Sequence, residues 1–184
     1  MLKLGIIGTG SISHHFVEAA HTSGKFQLVA VYSRKLETAE QFASRYSNVQ
    51  LFDQMDTFLM NSFDVVYIAS PNSLHYSQAK STLLAGKHVI LEKPAVTQPQ
   101  EWQELVQTAK DNHCFIFEAA RNYHEDAFAT IKSFLADKQV LGADFNFAKY
   151  SSKMPELLAG NTPNVFSDRF AGGALMDLGI YPIY

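Results

Sequence analysis

The chain has 184 residues, of which 47% are hydrophobic and 18% charged, enough to bury a core and to make one domain plus the start of another. A formal net charge of -3 without any Lys or Arg block excludes a phosphate-backbone footprint, so nucleic acid is not an expected partner. No apolar run is long enough to span a bilayer and the N-terminal run is too short for a signal peptide, so the expected compartment is the cytosol, with no membrane partner.

The apolar runs at 4–7, 28–32, 65–69, 88–91 and 114–117 are short, rich in β-branched or aromatic residues and nearly continuous, the pattern of strands buried on both faces. Segments with helical spacing lie between them, at 12–22, 36–46, 73–84 and 98–112. This alternation predicts an α/β fold, a doubly wound parallel sheet of the Rossmann type. Gly24 and Gly86 stand where two helices should close, and Pro99 stands in a first helical turn. Cys114, the single cysteine, falls in the last strand and reads as a small buried hydrophobe. The seven histidines show no metal-ligand spacing, and no metal is expected. After residue 117 the rhythm changes to a helix at about 124–135 and an alternating stretch at 142–150 that reads as a strand with one wetter face. The expected organisation is therefore a dinucleotide-binding domain over 1–120 and the N-terminal part of an α+β domain over 121–184.

Gly8-Thr9-Gly10-Ser11-Ile12-Ser13 follows the first strand and opens the first helix, the context in which a glycine turn binds a pyrophosphate at a helix N-terminus. Ser13 stands where a third glycine is usual, a position that needs a small residue. At the end of the second strand, where an acid would bind the ribose 2′-hydroxyl of NAD, the sequence reads Ser33-Arg34-Lys35. Two cations and a hydroxyl suit a 2′-phosphate, so NADP is the expected cofactor, with NAD the alternative. Ser70-Pro71-Asn72 and His75 follow the next long strand, and Glu92-Lys93-Pro94 follows the one after, each at the sheet edge where ligands bind in open α/β folds.

With these motifs in order, the chain resembles the Gfo/Idh/MocA family of NAD(P)-dependent oxidoreductases. The resemblance implies that Gly8, Thr9, Gly10, Ser11, Ile12, Ser33, Arg34, Ser70, Pro71, Asn72, His75, Glu92 and Lys93 line the cofactor site. It also implies that the Lys93-Pro94 peptide is cis. The stretch from Gly172 to Tyr181 resembles the family's glycine-led helix, with Asp177 and, four residues on, a proton-transfer residue. That residue is Tyr181 here, where many members have histidine. The tyrosine form resembles the branch containing dimeric dihydrodiol dehydrogenase and glucose-fructose oxidoreductase, and it argues against an inositol-type histidine mechanism.

Asp177 and Tyr181, four residues apart, share one helical face and can point into one cleft. The implied chemistry is hydride transfer between nicotinamide C4 and a carbinol carbon, with Tyr181 exchanging the hydroxyl proton and Asp177 binding a neighbouring hydroxyl. A free tyrosine titrates near pH 10, and a lysine cation about 4 Å away is worth up to about 4 kcal/mol at an effective dielectric of 20. Lys93 is therefore expected to activate Tyr181 from across a cleft. The expected substrate is a sugar, polyol or dihydrodiol; the alternative is a non-catalytic NAD(P)-binding regulator of the same fold. Arg121 lies at the cofactor edge but stays outside the catalytic set. Family members are longer, so the second domain is expected to be incomplete and the full-length protein a homo-oligomer.

Overall fold

The computed structural model describes residues 1–183; Tyr184 lies outside them. The chain divides into two compact units, residues 1–118 and residues 119 onward.

The first unit is built on six strands: β1 (Leu2–Ile7), β2 (Phe26–Tyr32), β3 (Gln50–Phe52), β4 (Val65–Ile68), β5 (His88–Leu91) and β6 (Ile116–Glu118). They form one sheet in the order β3-β2-β1-β4-β5-β6, and every ladder is parallel. The connecting helices are α1 (Ser11–Thr22), α2 (Leu36–Ala43), α3 (Met55–Leu59), α4 (His75–Leu84) and α5 (Pro99–Asp111). All four residues of β4 are buried, as a central strand covered by helices on both faces requires. Ile7, Val66, Ile68, Leu83, Val89, Leu91 and Leu105 belong to one continuous core. Pro99 occupies the first turn of α5, where Gln98 and Glu101 form a capping box. Gly24 and Gly86 have positive φ after α1 and α4, in the left-handed cap positions that the sequence marks.

The chain adds β2 and β3 on one side of β1, then crosses to place β4, β5 and β6 on the other. Strand order thus reverses between β1 and β4, and a crevice opens beyond their C-terminal ends. Two elements depart from the sequence reading. β3 and α3 fill residues 50–59, where no element was expected. β3 is a three-residue edge strand with no continuous apolar run, and α3 is recognisable mainly by Phe58, which is fully buried against Phe63 at a ring separation of 4.8 Å.

The second unit contains α6 (Asp126–Leu135), α7 (Met154–Leu158), α8 (Ala174–Leu178) and α9 (Ile180–Ile183). Residues 142–150, expected as a strand, form no ladder among the described residues and are exposed throughout. Alternation chooses which face of a strand is wet, but a strand also needs a neighbour to take its N–H and C=O groups. No described residue beyond Ala120 is buried, and Phe145, Tyr150, Leu158 and Leu175 are each at least 70% exposed.

Candidate active site

The crevice between β1 and β4 is shaped by two glycines that differ in kind. Gly8 has φ +99°, and a Cβ there would lie 2.4 Å from the Ala69 carbonyl oxygen, so the β1 and β4 ends can approach only across a glycine. Gly10, the N-cap of α1, has an ordinary extended backbone, and a Cβ there would meet no atom of the described residues within 4 Å, its chain neighbours aside. No side-chain cap and no first-turn acid occupies the start of α1. Ser13, on the first turn, is fully buried and donates its hydroxyl to the Gly8 carbonyl at 2.8 Å, so the serine in the third-glycine place fastens the turn from behind. Thr9 is half-buried, while Gly10, Ser11 and Ile12 are exposed around the helix start.

At the end of β2, the Ser33 N–H donates to the Phe52 carbonyl at 3.0 Å, which ties that loop to β3. Arg34 and Lys35 follow, both exposed and without an ion pair among the described residues. Glu37 stands in the first turn of α2.

The ends of β4, β5 and β6 converge on the turn that presents Lys93. The Lys93-Pro94 peptide is cis. Glu92 anchors one side: its Oε1 accepts from the Tyr67 hydroxyl at 2.5 Å and its Oε2 from the Lys93 N–H at 3.1 Å. Tyr67 itself is buried on β4 with Phe16 stacked at 3.8 Å, and burial, reinforced by the Glu92 charge and hydrogen bond, holds its phenol far above the usual range. On the other side, the Ala95 N–H donates to Glu118 at 2.8 Å. His75, 1% exposed at the start of α4, sits between the loops with Nδ1 2.8 Å from the Pro94 carbonyl oxygen and Nε2 2.9 Å from that of Ser70. The Ser70 hydroxyl donates to Gln78 at 2.6 Å, and Pro71 leads into a short 3-10 turn over Asn72–Leu74. His75, expected among the cofactor contacts, has both ring nitrogens facing backbone carbonyls of the protein itself.

The family model described as "Oxidoreductase family, NAD-binding Rossmann fold", GFO_IDH_MocA, matches residues 2–120. The chain belongs to this family. It is 37% identical over 186 residues to the scyllo-inositol 2-dehydrogenase (NADP(+)) IolU of Bacillus subtilis, covering 100% of this chain and 57% of that protein. It is 30% identical over 190 residues to the trans-1,2-dihydrobenzene-1,2-diol dehydrogenase of Danio rerio, covering 99% of this chain and 54% of that protein. The chain thus spans little more than half the length of these curated relatives. The solved NAD-binding protein of Listeria innocua superposes with a TM-score of 0.77 at 21% identity, over 98% of this chain and 52% of its own, a likeness of fold.

In this chain of the Gfo/Idh/MocA family, the crevice residues fit a dinucleotide. The open space beside Gly10 and the uncapped start of α1 suit a pyrophosphate, which takes helix N–H groups as donors and gains from the helix dipole. Within the second unit, Asp177 lies on α8 and lines a cavity of about 360 Å³ together with Lys149, Ser151, Ser152 and Gly173. Tyr181 lies on α9, its ring stacked on Phe147 at 4.3 Å. Between them Gly179 interrupts the helix while keeping right-handed dihedrals, φ -61° and ψ -26°. Gly172 lets the chain pass close to Val165, since a Cβ there would lie 2.6 Å from the Val165 carbonyl oxygen. Arg121 is mostly exposed and pairs with Glu125 at 3.0 Å. Sequence reasoning did not find the parts played by Tyr67, Gln78 and Glu118. A tyrosine in the wholly buried strand β4 was the available signal, because a buried phenol needs a partner for its hydroxyl.

Proposed function

We propose that the protein is an NADP-preferring dehydrogenase or reductase acting on a CH–OH group of a polyol, sugar or dihydrodiol. The observation that carries the reading is the crevice itself, in a chain of an oxidoreductase family: a glycine closed against Ala69, a second glycine facing open space, and an uncapped helix start. The names of the relatives support the substrate class, and the IolU likeness weights it towards polyols despite the tyrosine at position 181. Arg34 and Lys35, unpaired among the described residues at the end of β2, support NADP over NAD, since guanidinium and ammonium groups bind a 2′-phosphate through charge-assisted hydrogen bonds.

In this reading Gly8, Thr9, Gly10, Ser11 and Ile12 hold the pyrophosphate, Ser33 and Arg34 the adenosine ribose, and Ser70, Pro71 and Asn72 wall the crevice. The bound dinucleotide supplies or accepts a hydride at its nicotinamide. Tyr181 gives or takes the hydroxyl proton of the substrate, Asp177 hydrogen-bonds a neighbouring hydroxyl, and Lys93 orients the reacting oxygen. Residues 1–120 form the cofactor domain and residues from 121 begin the substrate domain. The compartment is the cytoplasm, and the full-length protein is a homo-oligomer.

The test is turnover of NADP(H) with a panel of inositols, aldoses and diols, repeated with Lys93→Met and Tyr181→Phe. Loss of turnover in both variants with cofactor binding retained is expected. Full activity in both variants would overturn the assigned roles. Cofactor binding with no turnover of any substrate would favour the regulator.

A further inference from the structure

The carbonyls of Ser70 and Pro94 belong to different loops, one leaving β4 at the crevice and one leaving β5 with Lys93, and both face the same imidazole. A carbonyl oxygen only accepts, whereas a neutral imidazole has one N–H and one lone pair. In its neutral form His75 can therefore bond one loop and leaves a lone pair turned towards the other. With both nitrogens protonated it bonds both. Burial makes the charged ring costly and sets its pKa below 6.5, against the opposing pull of the two carbonyls and of the charged groups facing it, Glu92 at the end of β5 and Glu118 on β6. Those carboxylates already hold the Lys93 and Ala95 amides, so ring, carboxylates and turn form one connected network.

We propose that His75 is a positioning residue that ties the Ser70 loop to the Lys93-Pro94 turn, with one N–H bond when neutral and with both when protonated, fixing the spacing between the crevice wall and Lys93. The inference rests on the reading of this edge as the cofactor site, but the tie can be measured without cofactor.

The experiment is a pH titration of the ¹⁵N-labelled chain by NMR, following the His75 ring nitrogens together with the amides of Asn72 and Ala95. One shared midpoint below pH 6.5 in both loops is expected. His75→Gln should abolish the amide shifts at that midpoint, and the wild-type titration stands alone if that variant does not fold. Amides that stay flat through the ring titration, a response confined to one loop, or a ring that stays neutral down to acid unfolding would each overturn the tie. Calorimetry with NADP+ on the same wild-type sample separates the two claims. A shared midpoint without NADP+ binding would sink the proposed function and leave the tie standing. In His75→Gln, NADP+ affinity should fall about fivefold, in line with the net worth of one hydrogen bond.

Discussion

Gly8→Ala and Gly10→Ala make the same chemical change two residues apart and should have opposite consequences. At Gly8 a methyl group would sit 2.4 Å from the Ala69 carbonyl oxygen, more than about 1 Å inside an optimal non-bonded separation. It would also hold an L-residue at φ +99°, which costs roughly 1–2 kcal/mol. Relieving the clash by moving β1 from β4 adds about 1–3 kcal/mol. The sum is about 2–5 kcal/mol, or roughly 10–20 °C in the melting temperature of a unit this size. At Gly10 the backbone is ordinary and the space open, so the reduced freedom of the unfolded chain, about 0.4–1 kcal/mol, offsets a comparable loss of N-cap preference. Stability there should stay within about 0.5 kcal/mol of wild type, while NADP+ affinity falls by at least about tenfold because the methyl occupies pyrophosphate space. Urea unfolding followed by the fluorescence of Trp102, the single tryptophan, reports on the first unit because its indole packs against that core. Equal destabilisation by the two substitutions, or unaltered NADP+ binding in Gly10→Ala, would show that the two glycines do not divide closure and cofactor space between them.

Further consequences can be checked on the same protein. Ser13→Ala leaves the Gly8 carbonyl without its buried donor and should cost about 1 kcal/mol in the urea assay. Arg34→Ala should weaken NADP+ about tenfold or more while NAD+ affinity holds, read as the ratio of the two dissociation constants by calorimetry. Burial pushes the Cys114 thiol above its ordinary value of 9.0, so a thiol-specific reagent at pH 8 should label the native chain far more slowly than the urea-unfolded one. Because an acid with a raised folded pKa is stabilised in its neutral form, the Cys114 contribution is complete below about pH 9 and is lost as pH rises through the folded value. Replacing Cys114 with Ala should therefore flatten the alkaline limb of the stability curve, measured by urea unfolding between neutral pH and pH 10.

The sheet was legible because its central strands are continuous apolar runs, and the crevice because glycine, proline and polar residues punctuate the strand ends. Residues 50–59 were not, since a three-residue edge strand carries too little pattern and α3 is fixed by the packing of Phe58. Residues 142–150 show the opposite case, in which alternation is present but the neighbour that would pair with it is not among the described residues. Ser13 was legible as a small residue, and only the structure gives its hydroxyl a partner. The network around Lys93 could not be read from spacing, because Tyr67, His75, Glu92 and Glu118 come from four elements and meet only when β4, β5 and β6 are in register.

Calorimetric titration of NADP+ and NAD+ into the chain asks whether the β1/β4 crevice binds a dinucleotide bearing a 2′-phosphate. Saturable one-to-one binding of NADP+, tighter than that of NAD+, is the predicted result. Absence of saturable binding of either dinucleotide to the folded chain would contradict the account.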